Sequence, residues 1–541
     1  MNCQPAAPAR DTPLLALRAG QEIAMTSLYP LFACLLLSAE PAVEADVVIR
    51  GATLYDGSGA AGVSGDLAVR GERIVAVGRF TVAGKPRILD GKGLVIAPGF
   101  IDLHTHSDYP LTHVATHANR NYLHQGVTTV VTGNCGAGPT DVAAYFRTLE
   151  SGKIGSNVIH QVPHNDVRRR IMQNANRAPT AEELHKMEQL VEQAMKDGAW
   201  GLSTGLIYNP GTYAKTEELI ALAKVAARHD GFYASHIRDE GTGVLGAIDE
   251  ALTIGREAGL PVHISHLKAS GRRSWGKAAD EIALIEKARK AGQAVSADQY
   301  PYIASSTSLM ATLIPTSFRE GARKDYLARL NDPEQSARLR KIIDSGLQRR
   351  QGGHAIRIAR FKPKPAWQGK DLASIAELEK KPATDIVLEI ERRGGAQIVN
   401  FGMNEEDVRL IMRQPFVATA SDGASMELSA NTVPHPRNYG CFPRKIGRYA
   451  LEDKVITLAH ALRSANGLPA DILKLPERGY LKPGYFADVV VFDPETFRDK
   501  ATFDKPHQYA TGVRYLFVNG KLVIDEGKFT GVLAGKVLRH K

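Results

Sequence analysis

The sequence predicts an α/β protein: a (β/α)8 TIM barrel, a small β-sandwich built from both chain ends, and a subdomain inserted before the last barrel strand. Three observations carry this. Eight short apolar runs alternate with helix-like segments through the middle of the chain, as in a parallel sheet with crossover helices. Polar residues gather immediately after those runs, where a barrel of this type carries its site. The two ends read differently, as short β pieces between glycine-rich turns, and 541 residues exceed what one core usually holds.

In chain order, residues 1–45 read as a leader. Met25-Thr-Ser-Leu-Tyr-Pro-Leu-Phe-Ala-Cys-Leu-Leu-Leu-Ser-Ala39 is apolar and is followed by the small-residue pattern Val43-Glu-Ala45, which fits a cleaved signal peptide. Met25 to Ser27 lacks a positive residue, while a start at Met1 supplies Arg10 and Arg18 but makes the leader long. A periplasmic or secreted protein is the expectation, and a disordered cytoplasmic extension the alternative.

Residues 46–92 contain Asp46-Val-Val-Ile-Arg50 and Arg73-Ile-Val-Ala-Val77. Residues 479–541 contain Ala487-Asp-Val-Val-Val-Phe-Asp493 and Val513-Arg-Tyr-Leu-Phe-Val518, then Asn519-Gly520, a hairpin signal. Neither piece buries much alone, so the two are predicted to pair as one sandwich.

The barrel is predicted over residues 93–310 and 401–478. Its first strand is the run Leu94 to Leu103, leading to His104-Thr-His106. Thr128 to Thr132 leads to Gly133-Asn-Cys135-Gly136, Asn157 to Val162 to His164, and Ala199 to Ser203 to Tyr208. Phe232 to Ser235 leads to His236, Pro261 to Ser265 to His266, Gln293 to Asp298 to Tyr300, and Phe416 to Ala420 to Ser421-Asp422-Gly423. Between them, Thr180-Ala-Glu-Glu183 is a capping box ahead of Leu184, Met187, Leu190, Val191, Ala194 and Met195 at helical spacing. Residues 311–400 are rich in Lys and Arg, partly helical, and too long for a barrel loop; they are expected to sit over the barrel mouth.

Composition narrows the function. The chain is 43% hydrophobic and 23% charged, as in a globular enzyme, with a net charge of +10. Its basic residues are scattered without aromatic interleaving, so nucleic acid is not an expected partner. No helix is uniformly apolar, so no membrane span is expected. Of four cysteines, Cys3 and Cys34 fall in the leader, and Cys135 with Cys441 make no disulfide framework.

His104 and His106, two apart at a strand end, point to one face and suit a divalent metal. Taken singly, each later residue has a plainer reading. His236 or His266 could be structural, Cys135 a small buried apolar residue, Asp422 a helix cap, and Arg437 a surface charge. His263, three residues before His266, faces the other way and reads as structural. His113, His117 and His124 read as one helix face.

Together the motifs are more specific. Gly99-Phe-Ile-Asp-Leu-His-Thr-His106, Gln125 to Gly136, Ser235-His-Ile-Arg-Asp-Glu240, Ser265-His-Leu-Lys268, Ser421-Asp-Gly423 and His435-Pro-Arg437 resemble the D-aminoacylase (N-acyl-D-amino-acid deacylase) branch of the amidohydrolase superfamily. The likeness runs from about Asp46 to the C-terminus and includes Arg478 to Asp488. It implies a zinc-dependent hydrolase of N-acyl-D-amino acids, with one tight zinc on Cys135, His236 and His266 and a second, weaker position completed by His104 and His106. It implies Asp422 as general base and acid, and Arg437, Lys268, Tyr208 and Tyr300 or Tyr302 as the grip on the substrate α-carboxylate. Thiolate and imidazole are good zinc ligands, and three of them leave a position for water, whose pKa zinc lowers to about 7.

The sequence departs from that branch after the third strand, where Pro163-His164-Asn165-Asp166 replaces the usual Gly-His-Gly-Thr. His164 is expected to assist the carbonyl oxygen or acyl group. No lysine stands in the Asn-Cys-Gly place, so no carbamylated-lysine bridge is expected. Two other readings share these residues. Another amidohydrolase acting on cyclic amides or dipeptides would turn over N-acetyl-L and N-acetyl-D substrates equally. A binding module without catalysis is opposed by the complete ligand set plus Asp422.

Overall fold

Eight parallel strands close a barrel in the computed structural model, which describes residues 42–429 and 431–541. They are β1 (Phe100–Asp102), β2 (Val127–Thr132), β3 (Asn157–His160, resumed after Gln161 by Val162–Pro163), β4 (Gly201–Gly205), β5 (Phe232–His236), β6 (Val262–Ile264), β7 (Val295–Gln299) and β8 (Val417–Thr419). Neighbours pair in sequence order from β1 to β8. The seam between β8 and β1 is short. Thr105 bridges Gly423, the Asp422 N–H donates to the His104 carbonyl at 2.8 Å, and the Ser421 N–H donates to the Asp102 carboxylate at 3.0 Å. Every residue of β2 is buried, as expected where helices cover the outside and side chains fill the inside.

The helices form for local reasons visible in the sequence. Before the helix Ala181–Lys196, Thr180 Oγ1 accepts the Glu183 N–H at 3.2 Å and Glu183 Oε2 accepts the Thr180 N–H at 2.8 Å. Such a cap contributes about 1 kcal/mol. Met187, Val191, Ala194 and Met195 form its buried face.

Two expectations need correction. The run Leu94 to Leu103 is not one strand. It breaks at Pro98-Gly99, and Val95–Pro98 pairs with Val489–Phe492 while β1 turns into the barrel. Residues 107–119 are not a helix carrying His113 and His117. Pro110 starts a short 3-10 turn, Asn119 is left-handed (φ 53°), and only Arg120–Leu123 is α-helical.

Val95–Pro98 joins the two chain ends. Strands Val47–Leu54, Val63–Arg70, Arg73–Gly78, Arg87–Asp90 and Val95–Pro98 share one nine-stranded sheet with Val489–Phe492, Val513–Val518, Lys521–Asp525 and Lys528–Phe529. Ile49, Leu67, Ile96, Val489 and Phe517 meet in its apolar cluster. Asn519 and Gly520 turn the hairpin with φ of 48° and 73°, the two positive values a type I′ turn needs. Val43–Glu44 pairs with Val82–Ala83, so ordered pairing begins inside the stretch read as a leader; residues 1–41 lie outside the described residues.

The insertion is more than helical. Strands Ser305–Ser308, Gln397–Asn400 and Ile356–Arg360 form an antiparallel sheet beside the helices Arg323–Asn331, Pro333–Gln348, Leu372–Glu379 and Ala383–Arg392. It has its own core around Leu339, Ile343, Trp367 and Ile398. No helix among the described residues is long and apolar enough to cross a membrane.

Candidate metal centre

At the carboxyl end of the barrel, Cys135 Sγ lies 3.3 Å from His104 Nε2, 3.5 Å from His236 Nδ1 and 3.6 Å from His266 Nε2. Three overlapping donor sets result: Cys135 with His236 and His266, Cys135 with His104 and His106, and His104 with His266 and Asp422, each with ligand atoms within 4.8 Å of one another. They come from the ends of β1, β2, β5, β6 and β8, so residues far apart in sequence converge because a closed barrel brings all its strand ends to one rim.

Local backbone produces the convergence. Cys135, His266 and Asp422 all adopt left-handed conformations, with φ of 52°, 37° and 51°. Each costs on the order of 1–2 kcal/mol for an L-residue, and such outliers concentrate at working sites. The glycines beside Cys135 are required by space. A Cβ on Gly133 would overlap the Gln161 carbonyl, and one on Gly136 would overlap Asn165 Oδ1.

Carboxylates behind these candidate donors orient them. Asp298 accepts the His266 N–H at 2.7 Å, lies 2.7 Å from His263 Nε2 and 3.4 Å from His104 Nδ1. Burial pushes its carboxyl up, but His104 and His263 outweigh this and hold it well below the usual carboxylate range. Glu240 Oε1 lies 2.9 Å from His266 Nδ1 and is paired with the Lys268 ammonium. Burial opposes its ionisation too, and Lys268 with the two imidazoles overcomes that. Asp422 places Oδ1 3.0 Å from His106 Nε2 and Oδ2 2.8 Å from Arg437 Nη1. Against burial, these partners keep it ionised.

The donor set fits a borderline-soft divalent cation. Burial lowers His104 to about 4 and His236 well below its usual value, so both imidazoles are neutral donors. Burial also pushes the Cys135 thiol well up, a penalty that an adjacent cation removes by binding the thiolate. His236 Nε2 is buried without a hydrogen-bond partner among the described residues.

A cavity of about 520 Å³ opens over this cluster. His106, Cys135, Tyr208, Asp422 and Arg437 line it, and the insertion supplies Ser306, Thr307, Ser308, Arg360 and Gln397. Tyr208 donates or accepts at Thr307 Oγ1 (2.9 Å), with its ring 5.0 Å from that of His236.

Other predicted substrate residues lie elsewhere. Lys268 does not line the cavity; its Nζ sits 2.7 Å from His266 Nδ1 in the layer behind. Tyr300 is buried beneath Arg437, whose guanidinium stands 4.8 Å from its ring centre. Tyr302 packs 4.9 Å from His435 and 4.7 Å from the Arg444 guanidinium, outside the cavity wall. His164 opens the helix His164–Met172 and turns away, with Nε2 3.0 Å from Glu218 Oε1. One residue further round that helix, Asn165 reaches the cavity instead.

Residues 87–524 match the model of the amidohydrolase family. D-aminoacylase of Alcaligenes xylosoxydans xylosoxydans is 38% identical over 91% of this chain and 97% of its own length. The chain belongs to the amidohydrolase family. This amidohydrolase is also similar to a solved structure of D-aminoacylase, with a TM-score of 0.79 at 35% identity over 91% of this chain and 99% of that one. N-acyl-D-glutamate deacylase from Bordetella bronchiseptica, solved with zinc and a phosphonate inhibitor, gives a TM-score of 0.78 at 34% identity, covering 92% of this chain and 100% of that chain.

Sequence reasoning passes over Glu240 and Asp298 in this amidohydrolase. Each had a signal. Glu240 closes the motif that begins Ser235-His236, and Asp298 ends an apolar run.

Proposed function

We propose that this amidohydrolase hydrolyses the amide bond of N-acyl-D-amino acids, releasing a carboxylate and a free D-amino acid. The observation that carries the reading is Cys135 Sγ within 3.6 Å of three imidazole nitrogens, beside an ionised Asp422, in a chain whose relatives are D-aminoacylase and N-acyl-D-glutamate deacylase. Cys135, His236 and His266 would hold zinc, and His104 and His106 would share Cys135 in a second, weaker position. Zinc when bound acts as a Lewis acid that makes water nucleophilic near neutral pH and polarises a carbonyl.

The chain's own residues supply the rest. Asp422, kept ionised by Arg437 and His106, takes a proton from the attacking water and delivers it to the leaving amine nitrogen. Arg437, at the cavity wall, engages the substrate α-carboxylate with the N–H groups that Asp422 leaves free, and Tyr208 borders the same space. Lys268 and Glu240 hold His266 in orientation from behind. A carboxylate fixed at one end and a scissile carbonyl fixed at the other leave one arrangement at Cα, which selects the D-enantiomer. Export to the periplasm or exterior, resting on the apolar stretch before Val43, belongs to the same reading, and N-terminal sequencing of the mature protein tests it.

The decisive experiment assays a panel of N-acetyl-D-amino acids against their L-enantiomers, with metal content measured on the same preparation. About one tightly held zinc per chain and turnover of D substrates are expected. Equal rates on both enantiomers would point to a different amidohydrolase. A protein without zinc that stays inactive when zinc is added would remove catalysis altogether.

A further inference from the structure

The cavity over the metal centre does not end at the barrel. A second space of about 390 Å³ adjoins it along the insertion, and Ser308, Arg360 and Gln397 line both. Those three residues form one row across the inserted sheet: Gln397 is paired with Ser308 on one neighbouring strand and with Arg360 on the other. The ladder slips between Ile358 and Arg360, leaving Ala359 as an extra residue. Bulges of this kind redirect a side chain; here both Ala359 and Arg360 reach the cavity.

The charge around this adjoining space is one-sided. Lys362 and Arg393 line it with Arg360, and it has no carboxylate among its lining residues. Flanking cations are neutralised. Arg357 pairs with Asp504 at 2.7 Å, and Lys364 with Glu379 at 3.3 Å and Glu389 at 3.0 Å. Arg360 and Lys362, lying between them in sequence, have no carboxylate within ion-pair distance among the described residues. Arg393 has only Glu389, at 3.9 Å, which Lys364 and Lys381 already share. The one carboxylate lining the main cavity, Asp422, is committed to Arg437 and His106. A guanidinium on the wall of a cleft, without a partner of its own, is a fork for a carboxylate.

We propose that the Arg360 end of the cleft binds a second carboxylate on the substrate, so that this enzyme prefers dianionic N-acyl-D-amino acids over neutral ones. The inference rests on the deacylase reading and names its substrate class. The second carboxylate can sit on the amino-acid side chain or on the acyl group, since both extend away from the scissile bond.

The test compares kcat/KM on two matched pairs with zinc-loaded protein. N-acetyl-D-glutamate against N-acetyl-D-glutamine probes the side chain, and N-succinyl-D-alanine against N-butyryl-D-alanine probes the acyl group. At least one pair is expected to favour the anion by about tenfold or more, the scale of a charge-assisted hydrogen bond. Arg360→Gln should bring that ratio close to one, with Lys362→Gln shifting it in the same direction. Ratios near one for both pairs in the wild type, or a ratio unmoved by Arg360→Gln, overturn the proposal. Calorimetric titration of the same compounds into Asp422→Asn protein separates the two readings. Charge-selective binding without wild-type turnover retires the deacylase reading and keeps this one; turnover without charge selectivity does the reverse.

Discussion

Arg437 Nη1 lies 2.8 Å from Asp422 Oδ2, and both side chains are almost fully buried at the floor of the cavity. The group proposed to grip the substrate carboxylate and the group proposed to move the proton are therefore one ion pair. Removing either leaves an uncompensated buried charge, which is costlier than the pair is stabilising.

Arg437→Ala is accordingly expected to lower kcat as well as raise KM, with kcat/KM falling by about 100-fold or more. A pure substrate clamp, the role the sequence suggests, would move KM alone. Steady-state kinetics on an N-acetyl-D-amino acid decides between them, and an unchanged kcat would detach Arg437 from the base.

Asp422→Asn keeps the shape of the side chain and removes its basicity. Turnover should fall by a factor of roughly 10² or more, while zinc content stays near that of the wild type. Near-normal activity would take the proton-transfer role away from Asp422.

Glu240→Gln and Asp298→Asn test the layer behind the ligands. Each should weaken zinc binding by about 10- to 100-fold, measured by competition with a chromophoric chelator, with circular dichroism confirming that the fold persists. Wild-type affinity in both variants would reduce these carboxylates to packing.

Lys445 gives a pH-dependent signature away from the metal. Its ammonium is buried without a hydrogen-bond partner among the described residues, and burial lowers its pKa to about 7. The unfolded chain binds this proton up to about pH 10.5, so between the two values stability rises with pH; below pH 7 the buried charge exerts its full penalty. Lys445→Met should thus stabilise the protein most at pH 6, on the order of a few kcal/mol, and the gain should shrink towards pH 10. Urea midpoints of the two proteins at pH 6, 8 and 10 check this, and a gain that grows with pH would refute it.

The barrel was legible because each strand is an apolar run closed by a polar residue, a pattern that survives without knowledge of tertiary contacts. The convergence of candidate donors was legible for the same reason, since Cys135, His236, His266 and Asp422 stand at or just beyond strand ends. What lies beyond the ligands was harder. Tyr300 and Tyr302 follow β7 in irregular chain, where no period fixes direction, and they part company. His164 is one residue from the cavity-facing Asn165, but on a helix one residue is a turn of about 100°. The inserted sheet begins with Ser305-Ser-Thr-Ser308, which has no apolar run to reveal it, and its partner Gln397–Asn400 is remote in sequence. The turn at Pro98-Gly99 was visible in the sequence, but not that it divides two strands, because residues on both sides are apolar although they serve different cores.

The seam of the barrel has a mechanical consequence. The backbone contacts that shut the cylinder run from His104 to Asp422 and from His106 to Gly423, so the wall's last stitch and the floor of the candidate site are made of the same residues. Whatever grips those side chains also rivets the first strand to the last. Metal loading should therefore slow amide exchange across this join more than anywhere else around the rim, tying the enzyme's resistance to breathing apart directly to its readiness to work.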